Sequence, residues 1–335
     1  MSRQRSLTAS PPPSVRLSVI VLCALTSFAA AAEPPITAVA FDPDGRSLVV
    51  ASQRGLQIAR LPELQIAYEM TDPSSTVMDL EFREDHLLTA GGEPGESGVL
   101  AVRESIRGAD GELERFGPPE VITTPFNDCI YSAGWSPSGA AIAAAAFDGT
   151  AAVFQLSTLN ERSVFAGHSG GLTGVVWLDD NLLATSSRDT TIRLWKAENG
   201  ELVRTLNNHT DQVLGLALAP GGKGLPIVSS IGDDATIRFW QPTIGRMMRF
   251  VRLMNERPVC QAWSADGGFL YAGTTGGKIV RIEAATAKTV ESIRVTSGWV
   301  TALSVSEDDW VAYGTSEGEL HAFAGPGLQT PLTGP

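Results

Sequence analysis

Cysteine and histidine are scarce in this chain of 335 residues, which holds three of the first and four of the second. No C-x-x-C-H, no zinc-type Cys/His spacing and no H-E-x-x-H occurs, so haem attachment and the common zinc sites are excluded. The chain also lacks a P-loop, a dinucleotide-type glycine motif after a strand and a G-x-S-x-G elbow. No cofactor and no metal is therefore implied, and no catalytic residue is assigned. The stretch EPGES from Glu93 offers oxygen donors for weak Ca²⁺ binding, but an acidic surface loop is the commoner explanation.

Charge is sparse as well, at 19% of residues, and it leans acidic, with a formal net charge of −12. The first 32 residues contain three arginines and no acids, so the remainder stands at −15. An acidic surface repels nucleic acid and anionic membrane faces, and neither is expected as a partner. Abundant turn formers, 34 glycines and 20 prolines, suit an all-β chain of many short strands.

Residues 1–32 read as a secretory signal peptide. Arg3, Arg5 and Arg16 make a positive start, Leu17 to Phe28 an apolar run, and Ala30-Ala31-Ala32 a cleavage site before Glu33. The alternative is an N-terminal membrane anchor, but its apolar run, Leu17 to Ala32, is only 16 residues, short for a spanning helix. Leu22 before Cys23 is too bulky for a lipid-attachment signal. The expectation is an exported protein, periplasmic or extracellular, with no membrane insertion after cleavage and one folded domain over 33–335.

Between Gly167 and Trp240 one pattern is written twice, first as GHSGGLTGVVWLDDNLLATSSRDTTIRLW and then as NHTDQVLGLALAPGGKGLPIVSSIGDDATIRFW. Each copy has a His, an alternating apolar run, a second run ending in Ser, an Asp-containing turn and T-I-R-(L/F)-W. Trp195 and Trp240 each lie six residues beyond an Asp, Asp189 and Asp234. These residues resemble the WD-repeat family, in which a repeat of roughly 40–45 residues builds one four-stranded propeller blade. The resemblance implies a buried hydrogen-bonded cluster of His168, Asp189 and Trp195 in one blade and His209, Asp234 and Trp240 in the next. The strand-b hydroxyl of the first is assigned to Ser187, with Thr185 the alternative. In the second copy it stays open because the turn is about a residue longer. Neither Trp is followed by the family's Asp, and only these two blades carry both the His and the Trp.

Strand a recurs as ITAVAF, VMDLEF, IYSAGW, LTGVVW, VLGLAL, VCQAW and VTALSV, at intervals of 41, 53, 42, 41, 46 and 41 residues. Seven units predict a seven-bladed β-propeller of four-stranded antiparallel blades, each burying its faces against its neighbours. The last blade is expected to be weakly completed, with Leu328 to Leu332 as its fourth strand. Phe41, Phe82, Trp135, Trp177 and Trp263 close strand a and are expected as inter-blade core. Cys129 and Cys260 fall on opposite sides of the ring, too far apart to bridge, and are expected as free thiols. The 53-residue interval places an insertion, Ser105 to Pro119, in the second blade, and its glycines and prolines predict mobility.

Two function classes follow. One is a non-catalytic scaffold for a protein or peptide partner, expected to be a monomer, which the resemblance implies. The other is a propeller enzyme, lactonase or quinoprotein-like, with its site in the channel. That second reading needs acids or histidines converging on strand a, where Asp79 reads as a lone acid. For a partner, the d–a and b–c loops converge on one face. Asp72, Glu93, Glu96, Asp128, Asp211, Asp233 and Glu256 are assigned there beside Arg54, Arg188 and Arg257, which favours a ligand with a basic patch. Trp299 and Arg188 are the expected anchors, with Tyr131 near the rim.

Overall fold

In a computed structural model, the structure describes residues 33–221, 224–324, 327–328 and 332–333. The signal segment expected over 1–32 lies outside the described residues. From Glu33 onward the chain makes one compact unit.

Seven antiparallel sheets follow one another along the chain, six with their strands paired in sequence order and the second with its last strand, Glu120–Ile122, paired to Ser97–Arg107. Their first strands are Ile36–Phe41, Thr76–Arg83, Ile130–Trp135, Leu172–Asp179, Val213–Leu218, Pro258–Trp263 and Val300–Val305. These touch one another in succession, and the last touches the first, so they form the inner wall of a closed seven-bladed propeller. Strands a to d run outward in each blade. Second strands such as Ser47–Ser52, Ala141–Ala146 and Val228–Gly232 are buried throughout, because both faces are covered by neighbouring blades. Fourth strands are half solvated and alternate, as Asn160–Ala166 does. Apart from a single 3-10 turn at Pro242–Ile244, the regular elements among the described residues are strands.

Every strand a carries a β-bulge near its start, at Thr37 in the first, Met78 in the second, Thr173 in the fourth and Thr301 in the last. The bulge turns hydroxyls toward the next blade. Thr173 Oγ1 donates to the Val213 carbonyl at 2.8 Å, and Thr37 donates likewise to the Val77 carbonyl. At the other end of strand a the closing indoles reach the preceding blade. Trp177 Nε1 donates to the Gly134 carbonyl at 3.0 Å and Trp135 Nε1 to the Glu81 carbonyl at 3.3 Å. The inner strands share no ladder across blades, so side chains satisfy their free edges. Trp135, Trp177 and Trp263 are thus inter-blade core, and Phe41 joins them.

The last blade ends in a fourth strand of two residues, Leu332–Thr333, paired with Leu320–Phe323. The Ser105–Pro119 insertion is not a mobile loop. Strand c of blade two runs on from Ser97 to Arg107 and turns back as Leu113–Phe116, and Glu120–Ile122 then completes the blade. Leu113 and Phe116 are buried against Ala38, Val49, Ile58 and Leu80, which spans blades one and two. Arg107 anchors the tip, bonding both Asp42 oxygens at 2.8 and 2.9 Å and Asp85 at 2.8 Å. Glycine and proline content indicated a turn; a bulge at Glu114, which brings Leu113 and Phe116 to one buried face, made it a packed hairpin.

Candidate functional site

Two polar chains are built into blades four and five. Trp195 Nε1 donates to Thr185 Oγ1 at 2.8 Å, which lies 2.9 Å from His168 Nε2, and His168 Nδ1 lies 2.8 Å from Asp189. In blade five Trp240 Nε1 donates to Ser230 at 2.8 Å, His209 Nε2 lies 2.7 Å from Ser230, and Nδ1 lies 3.0 Å from Asp234. Because an indole can only donate, the hydroxyl accepts from it, and the hydroxyl's own proton is free to go to His Nε2 while Nδ1–H donates to the carboxylate. Burial holds the His168 pKa below the ordinary imidazole value, which agrees. Burial pushes Asp189 up, but bonds from Thr191, His168 and the Ser169 N–H outweigh it and leave the pKa lowered.

The cluster hydroxyl in blade four is Thr185, not Ser187. Leu183 pairs with Trp195 across the ladder, so the side chain that faces the indole is two residues on, at 185. Ser187, at the strand end, instead donates to the Gly170 carbonyl at 2.9 Å and accepts the Asp189 N–H at 3.1 Å. Thr185 and Ser230 both precede their Trp by ten residues. The extra length of the second copy therefore lies in the a–b loop, not in the b–c turn.

The same location is filled differently elsewhere. In blade two, Arg103 pairs with Leu87 and so takes the Trp position. Its Nη2 meets Asp72 at 2.9 Å, and Thr89 Oγ1 donates to Asp72 at 3.2 Å. In blade three, Phe126, Ala144 and Phe154 replace the polar set, with the two rings edge to face at 6.3 Å. None of these clusters opens onto a reacting centre. They are parts of the blade core.

The mouth of the channel is different. In blades three to seven the residue after strand b donates its N–H to the carbonyl just before strand a. The pairs are Phe147 to Cys129, Arg188 to Gly171, Asp233 to Gln212, Thr275 to Arg257 and Ser316 to Trp299, at 2.8 to 3.0 Å. This bond sets one side chain per blade on the rim. Tyr131 stacks on Phe147 at 5.1 Å, and the Arg188 guanidinium lies 4.8 Å from that ring's centre. Asp233 meets Arg257 at 2.8 Å, and half-buried Trp299 follows on the next blade. Asp211 caps its own turn through the Gln212 N–H at 2.9 Å. Of the expected face residues, Tyr131 and Arg188 thus meet on Phe147, and Asp233 meets Arg257; Phe147 belongs with them. It was missed because a Phe beside an Asp reads as core; its register with Arg188 and Asp233 was the available signal.

The face is less acidic than counted from sequence. Asp72 does not reach it, being fully buried against Arg103 with side-chain exposures of 0% and 1%. Glu256 is matched by Lys278 at 2.6 Å and Asp233 by Arg257. Asp79 is not a lone acid in the wall either, since Glu81 follows it two residues on. Asp79 accepts the Ala133 N–H at 3.0 Å and Glu81 the Trp135 N–H at 3.2 Å, so both cap the free edge of blade three. Burial, and then the charge of Asp79, raise Glu81 to about 8. Cys129 and Cys260 are not disulfide-bonded, and burial pushes the Cys260 thiol up to about 12.

The family described as WD domain, G-beta repeat matches residues 159–196 and 200–241. Those two stretches contain both His–Asp–Trp chains. The inner strands of blades four and five thus match the WD-repeat model. The nuclear distribution protein nudF of Emericella nidulans is similar to part of this chain, being 42% identical over 84 residues. That match covers 24% of this chain and 18% of nudF, so the chain spans about a fifth of the relative's length. Seven blades, with two stretches that match the WD-repeat model, support a protein-interaction scaffold in general.

Proposed function

We propose that this chain is a non-catalytic scaffold that holds a protein or peptide partner across the channel mouth, anchored on Trp299 and Arg188. The rim arc carries the reading. Tyr131, Phe147 and Arg188 stack together and Asp233 pairs with Arg257, while Arg257 and Trp299 flank the same backbone bond in blades six and seven. Aromatic and arginine side chains on a rigid, partly desolvated surface are the types that dominate interface energies. The channel carboxylates do not favour the enzyme alternative, because both are engaged in capping backbone.

The partner is met outside the cytoplasm, the mature chain beginning near Glu33; charge, apolar run and small-residue tail in order support this. N-terminal sequencing of protein from its host is the check, and an intact Met1 chain in the cytoplasm would refute export. For the scaffold itself, partners captured from the exported fraction should bind Trp299→Ala at least tenfold more weakly, about 1.4 kcal/mol. Unchanged binding by both Trp299→Ala and Arg188→Ala would move the site to another face.

A further inference from the structure

The rim arginines differ in their counter-charges. Arg54 pairs with Glu33 at 2.7 Å and Arg257 with Asp233 at 2.8 Å, while the buried Arg103 holds Asp72 at 2.9 Å. Arg188 makes no ion pair within 4.0 Å among the described residues. Asp233 is engaged by Arg257 and acts on Arg188 only through its charge. One face of the Arg188 guanidinium lies over Phe147, which Tyr131 backs. The seat is rigid: the Arg188 N–H is tied to the Gly171 carbonyl at 3.0 Å, and any side chain at 171 would meet the Phe147 ring at 2.6 Å.

An arginine in this setting keeps its proton but has lost water on its stacked face. Burial holds its pKa below the ordinary guanidinium value. A half-desolvated cation without a counter-ion is unfavourable, and an incoming anion relieves that cost through charge-assisted hydrogen bonds.

We propose that Arg188, seated on the Tyr131–Phe147 stack, is a carboxylate receptor that takes an Asp, Glu or C-terminal carboxylate of a peptide partner. This rests on the mouth being the docking face and reverses the basic-patch expectation at this one point. A carboxylate fits better than a phosphate, because a single guanidinium matches one negative charge and Arg257 is already neutralised. The acidity of the whole chain does not oppose it strongly, since screening confines charge effects to about 8 Å at physiological salt.

The test is selection of a random displayed peptide library on the immobilised protein. Enriched peptides should carry an acid or depend on a free C-terminus, and amidation separates those two sources. Replacing the acid by its amide, and Arg188→Gln in the protein, should each weaken binding at least tenfold, and both together little more than either alone. Arg188→Gln should melt like wild type, showing that the fold is intact. No enrichment, enrichment of acid-free peptides, or independent effects of the two changes would overturn the assignment. If acid-free peptides enrich and lose binding on Trp299→Ala, the mouth survives as the docking face and only the carboxylate falls. If enriched peptides ignore both variants, the docking face falls with it.

Discussion

Thr301 Oγ1 donates to the Ile36 carbonyl at 2.6 Å, and so the last blade is joined to the first by the same bond that joins blade four to blade five. The ring closes without a shared blade. Its seam consists of this hydroxyl, the Ser304 contact to the Phe41 N–H at 3.4 Å, and apolar packing of Ile36, Val39 and Phe41 on Ala302 and Ala312.

Thr301→Val should therefore cost about 1 kcal/mol, the net worth of one internal hydrogen bond plus a carbonyl left with fewer partners. Thr173→Val should cost a similar amount. If the closing seam is the first joint to open, amide exchange in Ile36–Phe41 will accelerate in Thr301→Val and not in Thr173→Val. Equal exchange in the two variants would show that the seam opens only with the whole ring.

Thr185→Val should destabilise by about 1–3 kcal/mol, because it strands the Trp195 N–H and the His168 Nε2 in the core. Trp195→Ala or Trp240→Ala should cost more, about 3–5 kcal/mol, as aromatic deletions from cores do. Ser187→Ala should leave the Trp195 indole N–H resonance in place, whereas Thr185→Val should move it. A shift caused by Ser187→Ala instead would return the cluster role to that residue.

Ala235 and Thr190 occupy the left-handed region at φ 59° and 72°, where the equivalent turns of blades three, six and seven place Gly149, Gly277 and Gly318. A side chain there is strained by about 1–2 kcal/mol, partly offset by the entropy that glycine loses on folding. Ala235→Gly should thus raise stability by about 0.5–1 kcal/mol, read as a higher denaturant midpoint. A lower midpoint would mean that the alanine makes contacts worth more than the strain.

Glu81, raised to about 8, gives stability an alkaline slope. Between the ordinary glutamate value and about 8 the folded chain keeps a proton that the unfolded chain has released, so stability falls as pH rises through that window. Glu81→Gln keeps an acceptor for the Trp135 N–H and should flatten this slope. His168 acts on the other side: neutral when folded, it loses its contribution as pH falls below about 6.5, where the unfolded chain takes up a proton. Urea midpoints across pH would show both limbs, and an unchanged slope in Glu81→Gln would assign it elsewhere.

What the sequence determined by itself is what depends on neighbours along the chain. Alternation with period two made ITAVAF and VTALSV inner strands, turn chemistry at Asp189 and Asp234 placed the b–c turns, and the recurrence interval set seven blades. His168, Asp189 and Trp195 were legible for the same reason, since their order within one repeat is local. Only the tertiary structure decided what depends on register and on contacts between distant segments. Ladder register chose Thr185 over Ser187, although the two lie two residues apart on one strand face. Packing across blades buried Asp72 against Arg103, folded the Ser105–Pro119 stretch onto blade one, and set Phe147 under Arg188. Such partners lie tens of residues apart or on different blades. Composition says that charges and rings are present, but only the closed ring says which of them meet and that Arg188, stacked on Phe147, has no ion-pair partner among the described residues.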